Sequence, residues 1–121
     1  MKRIIFAIIL LLITIIINFT GKYKVENFCK KSTAELKNCL NLINEGDYKS
    51  AGKVLKEMPE IESISLFIYK EESTLFETSI IEAESYLNEK DKTESVVRIK
   101  SCIYLLKRIY ENQQPGIDNF I

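Results

Sequence analysis

Thirteen large apolar side chains crowd the start of the chain: Ile4, Ile5, Phe6, Ile8, Ile9, Leu10, Leu11, Leu12, Ile13, Ile15, Ile16, Ile17 and Phe19. Only Ala7, Thr14 and Asn18 interrupt them. As a helix, the 16 residues from Ile4 to Phe19 rise about 24 Å, short of the roughly 30 Å hydrocarbon layer. Lys2, Arg3 and Lys22 close that gap by snorkelling. The pattern predicts an uncleaved signal-anchor over residues 1–21, followed by a domain over residues 22–121. A cleaved secretory signal is the competing reading, but its apolar region is typically about 7–15 residues and its cleavage needs small residues at alternate positions. The stretch NFTGKY offers only Thr20 and Gly21 beside bulky neighbours, and no lipoprotein cysteine follows the apolar run, Cys29 being too far on.

Beyond the run, apolar residues recur at helical spacing. Val25, Cys29, Ser32, Leu36, Cys39 and Ile43 fall 4, 3, 4, 3 and 4 apart, one face of a helix over Lys22–Asn44. Gly46 ends it, and Asp47 caps a second helix carrying Tyr48, Ala51, Leu55 and Met58. Pro59 stops that helix or opens the next. A third segment from Ile61 to Asn88 holds Ile61, Ile64, Phe67, Ile68, Leu75, Phe76, Ile80, Ala83, Tyr86 and Leu87, with a kink expected at the polar stretch KEEST, Lys70 to Thr74. Asp91 caps a last helix with Val96, Ile99, Ile103, Leu106 and Tyr110, which Gln113 to Gly116 end. No stretch alternates with period two, so strands are not expected.

One turn is written twice. LINEGD, Leu42 to Asp47, and YLNEKD, Tyr86 to Asp91, stand 44 residues apart at every position. Each joins a helix to the next, which predicts an all-α fold: an N-terminal transmembrane helix, then a bundle of about four helices arranged as two helical hairpins. Similarity outside the turns is thin, so shared turn chemistry explains the echo better than duplication does.

Charge narrows the function. Lys plus Arg and Asp plus Glu both number 17, and every acid lies beyond the apolar run. Without a dense basic face the chain is not expected to bind nucleic acid. Orientation is pulled both ways: Lys2 and Arg3 favour a cytoplasmic N-terminus, whereas Lys22, Lys24, Lys30 and Lys31 oppose it. A domain of this size translocates largely regardless of charge, so the soluble part is expected outside the cytoplasm, on a single-pass cell-membrane protein.

Candidate chemistry is sparse. The chain has no His, which removes the usual general base and metal ligand. Cys29 and Cys39 on one helix stand about 15 Å apart, beyond disulfide reach. All three cysteines, with Cys102, fit apolar faces as small hydrophobes, and a Cys39–Cys102 bridge would require the two turns to be level. Glu71–Glu72, Glu82–Glu84 and Glu57–Glu60–Glu62 read as solvated surface. No nucleophile motif, phosphate-cradling glycine loop or calcium loop is present, so neither catalysis nor a cofactor is expected. Tyr23 reads as an interfacial anchor just outside the bilayer, and the other tyrosines as core rim. The apolar tail Ile117, Phe120 and Ile121 either closes the bundle or serves as a partner-docking segment.

MKR with its Ile/Leu run, LFIYKEE (Leu66–Glu72), Ser79–Ile80, SYLNEKDK (Ser85–Lys92), YLLKRI (Tyr104–Ile109) and the terminal IDNFI resemble a small clostridial family, domain-of-unknown-function family 4363. Members often carry His where this chain has Lys70, and an apolar–acidic pair in place of Ser73 and Thr74. The resemblance implies a membrane-anchored helical protein with no assigned activity and a polytopic membrane protein as genomic neighbour. It supplies no catalytic residue.

Together these readings describe a membrane-anchored, non-catalytic protein-interaction module. Its partners are the lipid bilayer, through the N-terminal helix, and a membrane or envelope protein. Self-association through Val25–Ile43 as a parallel coiled coil is a further route. The alternative is a secreted helical protein, released by signal cleavage and acting at the cell envelope.

Overall fold

A computed structural model describes residues 1–112 as four α-helices and one 3-10 segment, without a strand among them. The helices are α1 (Lys2–Asn44), α2 (Tyr48–Glu57), α3 (Lys70–Asn88) and α4 (Lys92–Asn112), with the 3-10 segment at Ile61–Phe67. The tail residues Ile117, Phe120 and Ile121 lie outside the described residues. The all-α fold expected from the sequence is present: a long apolar N-terminal helix leading into a helical bundle.

The first departure from expectation is that the apolar run and the first bundle helix are one element. At 43 residues, α1 extends about 65 Å. Between Phe19 and Val25 the poorest helix former is Gly21, which costs about 1 kcal/mol relative to alanine. Its place has a packing reason: Gly21 is buried, and a Cβ there would overlap the ring of Phe67. Beyond Gly21 the predicted stripe is buried at every position, Val25, Cys29, Ser32, Leu36, Cys39 and Ile43. The residues proposed for a coiled-coil seam are therefore already covered by the bundle.

The second departure is in the third segment. The break falls at Ile68 and Tyr69, both extended, and KEEST forms the start of α3 instead of a kink. Glu71 and Glu72 sit in the first turn of α3, where the helix dipole favours acids. Upstream, Pro59 disfavours helical backbone in the residue before it, and Met58 is extended at ψ 148°, so α2 stops after ten residues. In α4 the buried face is Ser95, Ile99, Cys102, Leu105, Leu106 and Ile109, whereas Val96, Ile103 and Tyr110 lie half-buried at its edge.

Both turns close alike. Asp47 N–H donates to Leu42 O at 2.9 Å and Gly46 N–H to Ile43 O at 3.0 Å; 44 residues on, Asp91 N–H donates to Tyr86 O at 2.9 Å and Lys90 N–H to Leu87 O at 3.0 Å. These pairs are the Schellman motif, which satisfies the last carbonyls of a helix. The residue before each aspartate is left-handed, Gly46 at φ 81° and Lys90 at φ 58°. Each aspartate then caps the following helix, Asp47 Oδ1 accepting from Ser50 N–H at 3.1 Å and Asp91 Oδ1 from Glu94 N–H at 3.2 Å.

Each helix packs on its neighbours in chain order, and α4 closes on α1, giving a four-membered ring of antiparallel helices. Across the diagonal, the rings of Phe28 and Phe76 meet edge-on with centroids 6.0 Å apart. The 3-10 segment packs on both α1 and α3 and closes the end beside Gly21, here termed the base. The two turns lie at the opposite end.

Candidate functional site

Three regions carry possible function. The first is the apolar run of α1. All thirteen of its large apolar residues are exposed in the isolated chain, and α1 is long and apolar enough there to cross a membrane.

The second is the set of buried polar groups. Cys29, Cys39 and Cys102 are buried free thiols. Burial pushes Cys29 and Cys39 up to about 11 and Cys102 up to about 12. The negative charge of Glu72 adds to the shift at Cys29, and proximity to Cys39 adds to that at Cys102. Thiols held this high carry almost no thiolate at neutral pH, which makes them poor nucleophiles and poor metal ligands. Cys39 instead donates weakly to Ala51 O at 3.5 Å. Glu72, expected on the surface, is buried, because it faces the end of α4 and accepts from Asn112 Nδ2 at 2.8 Å. Glu82 sits at the α3–α4 seam, 3.1 Å from Arg98 Nε. Among the described residues no three of His, Cys, Asp and Glu gather in a way that would hold a metal ion.

The third is a groove. Because α2 stops at Glu57 while α3 runs for 19 residues, part of the face of α3 has no helix across from it. A groove of about 440 Å³ opens there, floored by Leu55, Met58, Ile61, Phe76 and Ile80, with Ile81 at its lip. Glu60, Glu62, Glu77 and Glu84 stand around it, against a single base, Lys56. The arrangement suits a ligand with an apolar face and positive flanks: the floor gains from burying apolar surface, and the rim attracts cations. Along the sequence Glu60 and Glu62 group with Glu57, Glu84 with Glu82, and Glu77 stands alone. Nothing in the local pattern tied these acids to α3. A second apolar face lies on the outside of α3 and α4, at Leu75, Val97 and Tyr104.

No family model matches the chain, and neither a curated protein nor a solved structure matches it. The resemblance to family 4363 therefore rests on the residues quoted above alone.

Proposed function

We propose that the chain is a single-pass membrane protein whose helical domain, outside the cytoplasm, holds a basic amphipathic helix of a partner protein in the α2–α3 groove, without chemistry of its own. The anchor rests on α1. Leaving thirteen large apolar side chains about half exposed to water forgoes roughly 1 kcal/mol each, a total comparable with the 5–15 kcal/mol that stabilises an ordinary domain. Lipid removes that penalty. The unbroken helix through Gly21, with the glycine packed beneath Phe67, favours retention of the run over cleavage beside it.

The observation that carries the binding role is the groove left by the early stop of α2. An apolar floor beneath an acidic rim recognises the face-and-flank pattern of a cationic amphipathic helix, read at i, i+3 and i+4. Tethering to the bilayer raises the effective concentration for partners held in the same membrane. The suppressed thiols support a binder over an enzyme.

A labelled helical peptide of lysine and leucine, titrated against the full chain in neutral detergent micelles, tests the groove. Reversing two rim charges, Glu77→Lys with Glu84→Lys, is expected to weaken binding about tenfold or more, since juxtaposed like charges cost several kcal/mol. The pair Glu45→Lys and Glu89→Lys, at the turns, carries the same charge change and is expected to leave affinity nearly intact. Equal weakening by both pairs would reduce the effect to net charge and remove the groove from the proposal.

A further inference from the structure

We infer that the base of the bundle is itself a lipid-contacting surface, in which Leu66 and Tyr69, with Tyr23 on α1, seat the folded domain in the interfacial layer of the bilayer. The inference rests on α1 spanning the membrane.

Height along α1 carries the argument. The apolar run ends at Phe19, and Gly21 is two residues, or about 3 Å, further along the helix. Phe67 packs on Gly21 so closely that a Cβ would overlap its ring, which places Phe67 at the level where α1 leaves the apolar layer. Leu66 is its chain neighbour. In a 3-10 helix residues three apart share a face, so Ile61, Ile64 and Phe67 turn into the bundle and Leu66 is left off that face.

The exposure is unusual. Leu66 is 91% exposed, the highest value among large apolar residues beyond the apolar run in the described chain. Tyr23 and Tyr69 follow at 71% and 70%. An amphipathic ring suits the headgroup layer, where one edge is apolar and the hydroxyl stays wet. Lys22, Lys24 and Lys70 stand at the same level, with stems long enough to lie along apolar surface while the ammonium reaches lipid phosphates. The acids of the 3-10 region, Glu60 and Glu62, line the α2–α3 groove instead.

A seated base has a consequence for the groove. Phe76 to Glu84 lie six to fourteen residues beyond Lys70 along α3, which holds the groove about 10–20 Å above the interface. A domain on a bare helical stalk would sample many tilts. One resting on Leu66 and Tyr69 presents the groove sideways at a fixed height, within reach of the juxtamembrane segment of a neighbour.

Because the chain contains no tryptophan, single reporters are unambiguous. Full-length Leu66→Trp, Tyr69→Trp, Phe19→Trp and Val97→Trp variants would be reconstituted in vesicles of phosphatidylcholine and phosphatidylglycerol. The choline lipid would be brominated either near the carbonyls or near the chain ends. The expected result is blue-shifted emission from Leu66→Trp and Tyr69→Trp, quenched by the shallow bromines, with Phe19→Trp quenched too and Val97→Trp red-emitting and unquenched. Quenching of Phe19→Trp, but of neither base reporter, would overturn the seated base while leaving the anchor standing. Failure of Phe19→Trp to quench would overturn both.

Discussion

In the first hairpin a helix of 43 residues turns into one of ten; in the second, 19 residues turn into 21. The turns between them match in their backbone bonds and aspartate caps, and burial echoes beyond them. Ser32 and Phe76, Cys39 and Ala83, Ile43 and Leu87, Ala51 and Ser95, and Leu55 and Ile99 are all buried, each pair 44 residues apart. The repeat ends where Pro59 stands opposite Ile103 in the same register. A proline forces Met58 out of the helix, whereas Ile103 lets α4 continue to the base. One residue type thus separates a closed hairpin from an open one, and the groove lies in the opening.

The second hairpin is also tied across its seam. Arg98 on α4 reaches Glu82 on α3 at 3.1 Å and lies over the ring of Tyr86 at 5.8 Å. Among the described residues no ion pair joins α1 to α2. Such half-exposed pairs contribute at most about 1 kcal/mol. The larger difference between the hairpins is then in apolar packing, since α2 has 10 residues against the 21 of α4.

That difference predicts the largest effect. Leu55 and Ile99 occupy equivalent positions and are buried alike, at 3% and 0% exposure. Ile99 lies between two long helices, so its truncation leaves a hole that cannot collapse. Ile99→Ala is expected to cost about 4 kcal/mol, and Leu55→Ala, beside the groove, about 2 kcal/mol. Urea unfolding of the full chain in micelles, followed by helical circular dichroism, reads both. Equal losses would mean that α2 is held as firmly as α4.

How much of this was legible beforehand follows from what each residue interacts with. The stripe Val25 to Ile43 and the two aspartate caps were readable, because each depends on its own helix or turn. The break at Ile68–Tyr69 was not: KEEST looked like the weak point for being polar, yet acids are favourable in a first helical turn and the chain bends one step earlier. In α4 Cys102 was placed on an apolar face, but the stripe missed Leu105 and Ile109, since a helix gripped from two sides buries a broader face than one periodicity describes. Glu72 looked like solvated surface, and only the return of α4 brings Asn112 to it. The groove was out of reach for the same reason, being a gap between elements far apart in sequence.

The turns predict a smaller effect. Gly46 adopts its left-handed backbone without a Cβ penalty, while Lys90 holds φ 58° against one. Lys90→Gly is expected to stabilise the chain by about 0.5–1 kcal/mol, and Gly46→Lys to destabilise it by about 1 kcal/mol. If Lys90→Gly destabilises instead, a contact of the lysine side chain outweighs the backbone strain, and the two turns are alike in bonds only.

The caps give the subtlest contrast. Ser50, through its side chain and its N–H, holds the Asp47 carboxyl below the usual carboxylate range, and Lys49 lowers it further. A carboxylate whose pKa is lower folded than unfolded stabilises the fold at pH values above its unfolded pKa, about 3.9. That contribution fades as pH falls through the lower folded value. The stability gap between the native chain and Asp47→Ala should therefore be flat from neutral pH down to about 5 and shrink below about 4. Asp47→Asn keeps a capping oxygen that does not titrate in this range, so the gap between it and Asp47→Ala should not depend on pH. Urea midpoints at neutral and acid pH measure both. A gap to Asp47→Ala that persists undiminished in acid would show that the cap works through its oxygen alone, with the charge of Asp47 playing no part in closing the first turn.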